Sequence, residues 1–213
     1  MTTSPSGTRP SEDIDPSKSG ATVLLEKKNA VVYGSGRGCG QRGRAGLRRG
    51  GSPGLPGRTH ARHAGGGGGE DFLTARAAAR RMTAKGSGVI VTITASPSRS
   101  SVPLTGGMAP AWAAIEALSR GLAAELGPYG VRVVCLNAAG MPETPQLTEV
   151  YGLHAEAHGI SRDAFRSRMT ELTLRKRLPT VAEVADVAAF VASDRAGAIT
   201  GAITNLTGGL VVG

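Results

Sequence analysis

The stretch SGVIVTITASPSRSSVPLTGGMAPAWAAIEALSRGLAAEL, residues 87–126, constrains the fold more than any other part of the chain. Gly88 to Thr94 is a run of Val, Ile and Thr bounded by Gly and by Ser/Pro, the pattern of a buried strand. After a Ser/Pro/Gly loop, Ile115, Leu118, Leu122 and Leu126 recur at helical spacing among Ala, Glu and Arg, which predicts a helix with one buried stripe. Gly127-Pro128-Tyr129-Gly130 breaks that helix, and Val131 to Leu136 is again a strand pattern. Strand, helix and strand in this order form a parallel βαβ unit, whose crossover is right-handed by default. An α/β protein built on a parallel sheet is therefore expected.

A length of 213 residues suits one domain with its own core, and at 3% aromatics that core rests on Val, Ile, Leu and Ala. No run of 18 apolar residues occurs, so no membrane span is expected. Residues 1–20 are Ser, Thr, Pro, Gly and charge without periodicity, which predicts a disordered tail and no signal peptide. Cys39 and Cys135 have neither metal nor redox spacing, so a reducing, cytoplasmic setting is the expectation.

The net charge of +9 is local. Lys27 to Gly69 contains nine of the 25 cations and no acid, which leaves the remainder balanced at 16 against 16. Within that window Ala30 to Tyr33 is a short β-branched run leading into Gly34-Ser35-Gly36-Arg37-Gly38-Cys39-Gly40. Glycines after a strand let the backbone turn tightly and approach a phosphate, provided a helix follows to aim its N–H groups at the anion. Gly43, Gly46, Gly50 and Gly51 argue against that helix, each costing about 1 kcal/mol relative to Ala. From Gln41 to Gly69 the chain is Arg, Gly, Pro and His, ending in five glycines that read as flexible coil. A basic arm for nucleic acid is disfavoured, because no aromatic residue lies between Tyr33 and Phe72 for base stacking.

Further on, Glu70 to Met82 is an Ala/Arg-rich helix pattern, and Leu147 to Lys176 is a mixed polar segment. Within the latter, Ser161 is placed to cap a helix carrying Phe165, Met169 and Leu172. Thr180 and Glu183 form a capping box ahead of the apolar face Val184, Val187 and Val191, and Ala202 to Leu206 reads as the last strand. The four histidines, His60, His63, His154 and His158, read as solvated, since a third metal ligand is not evident beside the His154/His158 pair.

The strand, the Ser-rich loop, AAIEALSRGLAAELGPYGVRV and RLPTVAEVADVAAFVASDRAGAITGAITNLTGG together resemble the active-site half of a short-chain dehydrogenase/reductase. The resemblance implies a Rossmann-like, doubly wound parallel sheet in residues 21–213. That family's first strand ends in T-G-x-x-x-G-x-G, to which Gly34, Gly38 and Gly40 correspond, with Tyr33 at the Thr position. Gly34, Ser35, Arg37, Gly38 and Gly40 are thus the implied contacts of a dinucleotide. Arg37, and Arg58 at the counterpart of the second strand's end, favour NADP over NAD, because a guanidinium pairs bidentately with phosphate. Between that point and Gly88 the chain is too short for two further βα units, so strands three and four of the family pattern are missing. The fourth lies between the first and fifth in this family, so the sheet is expected to lose an interior member. Residues 41–69 read as replacement of ordinary family sequence.

The family's catalysts are a Tyr acid/base, a Lys four residues later that lowers its pKa and holds the nicotinamide ribose, a Ser on the substrate oxygen and an Asn relay. The corresponding positions here hold Met108, Trp112 and Ala95, with Ser96 one residue beyond Ala95, and the Asn position falls among glycines 65–69. A thioether has no proton to exchange, and an indole carries no charge to tune a neighbour. No catalytic residue is assigned. Ser96, Ser98, Ser100 and Ser101 read as turn and cap residues.

Met108 and Trp112 share a helix face, which either looks into the site or, if the helix is rotated, makes Trp112 a core anchor. The resemblance further implies a lid over the substrate at 147–176. It also implies a homo-oligomer joined through helices at about 70–84 and 108–126. Two functions stay open: an NAD(P)-dependent oxidoreductase acting on an unnamed carbonyl or alcohol, and a non-catalytic remnant or binding module of the same fold. Nucleic-acid binding comes third.

Overall fold

A computed structural model of the chain describes residues 30–34, 68–100 and 102–212. Its strands are β1 (Ala30–Gly34), β2 (Gly88–Ala95), β3 (Val131–Ala138) and β4 (Ile203–Leu206). Its α-helices are α1 (Gly68–Lys85), α2 (Met108–Leu126), α3 (Pro145–Ala157), α4 (Arg162–Leu172) and α5 (Val181–Ala192). The strands form one parallel sheet in the order β1-β2-β3-β4. The expected tail at 1–20 and most of the Arg/Gly-rich stretch at 41–69 lie outside the described residues.

Strand alternation sorts the core onto the two faces of the sheet. Ile90 of β2 and Val131 and Val133 of β3 pack against Ala75, Ala79 and Met82 of α1 and Leu122, Ala123 and Leu126 of α2. Val89, Val91, Val134 and Leu136 face the other way, against Ala188 and Val191 of α5. Ile90, Val91, Val133, Val134 and Leu136 have no exposed surface, and burial of each stabilises by roughly 1.5–3 kcal/mol. The only basic residue of β3, Arg132, turns its guanidinium to the end of α5. It donates to Val191 O at 2.8 Å, Ser193 O at 2.8 Å and Ile199 O at 3.1 Å. A cation on the last carbonyls satisfies groups that a helix end leaves unpaired.

One expectation holds and two are corrected. Among the described residues the sheet lacks the interior member of the family pattern, as expected, and closes over its place. β1 pairs directly with β2, Gly34 opposite Ile93, in the place the family's fourth strand would hold. A gap would leave buried backbone groups of both flanking strands unpaired, which costs more than sliding the strands together. Gly68 and Gly69 belong to α1 rather than to a coil, because Glu70 and Asp71 favour a helix N-terminus and the Ala-rich segment behind propagates it. Residues 145–157, read as part of a polar segment, form α3.

Both caps expected from sequence are in place. Ser161 accepts from Ala164 N at 3.1 Å, and Thr180 and Glu183 complete a capping box at 3.2 and 3.0 Å. Between α2 and β3, Gly130 sits at φ 72°, and a side chain there would meet the carbonyl oxygen of Gly86 at 2.2 Å. The turns that launch β2 and β3 are therefore stacked through two glycines.

Candidate functional site

The carboxyl ends of β2 and β3 open onto a cavity of about 470 Å³. In an open parallel sheet this is where ligands bind, since loops diverge there and leave a crevice. The floor is Ile93, Ala95 and Ala138. The walls are the 96–105 loop, the first turns of α2, the loop through Met141 and Thr144, and the facing sides of α3 and α4.

Ala95, Ser96, Met108 and Trp112 all line this one cavity, so positions 12 to 17 residues apart in sequence converge as the resemblance implies. The rotated-helix alternative is set aside, because Met108 and Trp112 face the cavity together. Gly34 ends β1 beside Ile93, a lining residue. Ser35, Arg37, Gly38, Gly40 and Arg58 lie outside the described residues, as do His60, His63 and Ser101.

His154 is buried at 7% exposure, a correction to the solvated surface expected of it. Its ring stacks on Phe165 of α4 at 5.4 Å and 9°, and the exposed His158 stacks on the same ring at 6.0 Å and 17°. Tyr151 meets Phe165 edge-on at 5.2 Å. All four residues line the cavity. Burial pushes the Tyr151 hydroxyl up to about 12, so it stays protonated near neutral pH and keeps a hydrogen to donate. Among the described residues no group of three or more His, Cys, Asp or Glu could hold a metal.

Sequence reasoning missed the buried polar cluster beneath the cavity. Glu116 of α2 is 5% exposed, and its Oε1 accepts from Ser98 Oγ at 2.6 Å, Asn137 Nδ2 at 2.8 Å and Thr94 Oγ1 at 3.1 Å. Its Oε2 takes Arg99 Nε at 3.1 Å. Burial opposes ionisation of this carboxyl, yet the hydrogen bonds from Ser98, Asn137, Arg99 and Thr94 together hold it below its ordinary value. The negative charge also dictates the Asn137 amide: turned over, its oxygen would face the carboxylate. The cost is an Asn137 Oδ1 buried without a partner among the described residues. Ser98 is thus more than a turn residue. Cys135, next to Thr94 at 3.5 Å, has its thiol pushed up by burial and is an inert core residue.

The remaining hydroxyls of the cavity serve its loops. Ser100 donates to Ser96 O at 3.0 Å, Thr105 to Val102 O at 2.9 Å and Thr144 to Met141 O at 2.9 Å. The fold implies a nicotinamide dinucleotide. Placement of Gly34 at the crevice fits its phosphate end, but the residues at the other end do not fit a nicotinamide ribose. There the indole of Trp112 stands where the family has an ammonium, and the Ser98, Ser100, Thr105 and Thr144 hydroxyls nearby are committed to main-chain carbonyls and Glu116.

A parallel α/β sheet with a ligand cavity at its carboxyl edge, roofed by a helical hairpin, defines the class. Residues 71–211 match the family described as "Enoyl-(Acyl carrier protein) reductase". The short-chain reductase protein NovJ of Streptomyces niveus is 35% identical over 133 residues, which are 62% of this chain and 48% of that protein. The sorbitol-6-phosphate 2-dehydrogenase SrlD of Erwinia amylovora superposes with a TM-score of 0.68 at 22% identity, over 87% of this chain and 69% of that one. An NAD+-bound xylitol dehydrogenase does so at 0.61 and 23%, over 65% and 55%. The chain belongs to the short-chain dehydrogenase/reductase family of oxidoreductases. It spans about half the length of the curated relatives it matches.

Proposed function

We propose that the chain is a ligand-binding member of this family that does not carry out hydride transfer. One observation carries the reading: Met108, Trp112 and Ala95 line a single cavity at the positions where the family's acid/base, its ammonium and its substrate-orienting hydroxyl belong. Without a titrating hydroxyl and a cation to tune it at those positions, proton transfer to a carbonyl oxygen loses a contribution of about 10²–10⁴ in rate.

A second reading is favoured by the place of Gly34 at the crevice. A dinucleotide, NADP(H) ahead of NAD(H), binds through Gly34, Ser35, Arg37, Gly38 and Gly40. Bound, it would supply a hydride donor or acceptor. Calorimetric titration with NADPH and NADH tests it, and tighter binding of NADH would refute the preference.

The primary reading is tested by turnover. The unmodified protein, mixed with NADPH and a panel of aldehydes and ketones, is expected to show no loss of absorbance at the nicotinamide band. Carbonyl reduction that Met108→Ala abolishes would overturn it. Met108→Tyr combined with Trp112→Lys asks the converse question, whether two side chains suffice to restore the reaction.

A further inference from the structure

The cavity is polarised in a way that the family relationship does not dictate. Met108 and Trp112 on α2 line it with a thioether and an indole, and the Ser100, Thr105 and Thr144 hydroxyls donate to main-chain carbonyls. Ser96 apart, the donors that remain for a ligand stand on the opposite, α3–α4 wall: the Gln146 amide, the Tyr151 hydroxyl, the imidazoles of His154 and His158, and the guanidinium of Arg168.

Arg168 is the one Lys or Arg that lines the cavity among the described residues, and no Asp or Glu lines it. No carboxylate stands within salt-bridge distance of Arg168 among the described residues. Glu171, three residues on, pairs with Lys176 at 3.9 Å, while Glu183 takes Arg175 at 3.0 Å and Arg177 at 2.6 Å. A guanidinium at the edge of an apolar chamber, with its local acids engaged elsewhere, has charge to offer and no internal counter-ion. A volume of about 470 Å³ lies within the roughly 300–1,000 Å³ of small-molecule sites.

We propose that this cavity binds an amphipathic organic monoanion, its apolar body against Met108 and Trp112 and its anionic head on Arg168. The apolar body gains from leaving water, and the carboxylate exchanges hydration for a forked pair of charge-assisted hydrogen bonds. A neutral ligand of equal length gains the first term only. The proposal rests on the binding-protein reading for its cavity, and it adds the chemistry of the occupant.

Trp112 is the only tryptophan in the chain, so indole fluorescence reports on this cavity alone. The full-length protein is titrated with 10-bromodecanoate and, separately, with 10-bromodecan-1-ol, whose bromine quenches indole on contact. Saturable quenching is expected from both, with the acid binding about tenfold tighter, the effect of one charge-assisted contact. Added salt should narrow the difference. Arg168→Met, checked for unchanged circular dichroism, should bring the acid to the affinity of the alcohol and leave the alcohol unaffected; Arg168→Lys should restore part of the gap.

Equal affinity of acid and alcohol in the unmodified protein, or an acid affinity insensitive to Arg168→Met, would overturn the anionic head while leaving the cavity a binding site. Absence of quenching by either ligand would overturn both. Carbonyl reduction by the unmodified protein, with the acid still preferred, would remove the binding-only reading and keep the ligand class.

Discussion

The ends of β2 and β3 face two regions of opposite character. Toward α2, Thr94 and Asn137 enter a closed polar cluster around Glu116. Above it, Ile93, Ala95 and Ala138 floor a largely apolar cavity. A conventional enzyme site would concentrate its polar chemistry in the cavity. Here the charge and most of the buried hydrogen bonds lie under the floor, where they join β2, β3, α2 and the 96–99 turn into one unit. The polar cluster is architecture, and the cavity above it is largely apolar, with its titratable side chains gathered on the α3–α4 wall.

The largest test of that contrast is Glu116→Ala. It removes the acceptor that Ser98, Asn137, Thr94 and Arg99 share, and it should destabilise the fold by about 3–5 kcal/mol, read from chemical denaturation. A loss below about 1 kcal/mol would show that the cluster is not what ties the strand ends together.

Acid sharpens the same comparison. The folded-state carboxyl of Glu116 titrates below its unfolded value. Its contribution is therefore complete above the ordinary carboxylate range and is lost as pH falls through the lower, folded value. Glu116→Gln should flatten the acid limb of the stability profile, and an unchanged limb would count against a charged, hydrogen-bonded Glu116.

Substitutions on the cavity side should cost less. Met108→Leu conserves volume and faces open space, so a change under about 1.5 kcal/mol is expected, while quenching of Trp112 by the bromo-acid should shift measurably. A severe loss of stability would mean that Met108 is core, not lining.

The smallest effect belongs to Tyr151. Its hydroxyl, raised to about 12, favours the fold below the unfolded-state value, and that contribution is lost as pH rises through about 12. Tyr151→Phe should remove a phenolate signal that appears only near unfolding, with little change at neutral pH. A normal, early phenolate transition for Tyr151 would show the ring to be open to water.

Much of this was legible because it is local. The strand at 88–94, the helix at 108–126, the Ser161 cap and the Thr180–Glu183 box depend on neighbours within four residues, and sequence spacing displays such neighbours directly. The shared face of Met108 and Trp112 was legible for the same reason. Helix α3 was not anticipated, though Thr144-Pro145 is an N-terminal signature and Tyr151, His154 and Ala155 mark one buried face. The polar composition of 147–176 masked it.

By itself the sequence determined the parallel α/β class, which follows from residue order and short-range period, and its resemblance to the family located the substituted site positions. Tertiary structure decided what those side chains meet. Glu116 is buried because its partners arrive from 17 to 22 residues away, and His154 because Phe165 comes from the next helix. β1 lies against β2 because backbone groups in a sheet need partners from whichever strand is present. Contacts of that kind depend on which surfaces the folded chain brings together, and no spacing rule along the sequence records them.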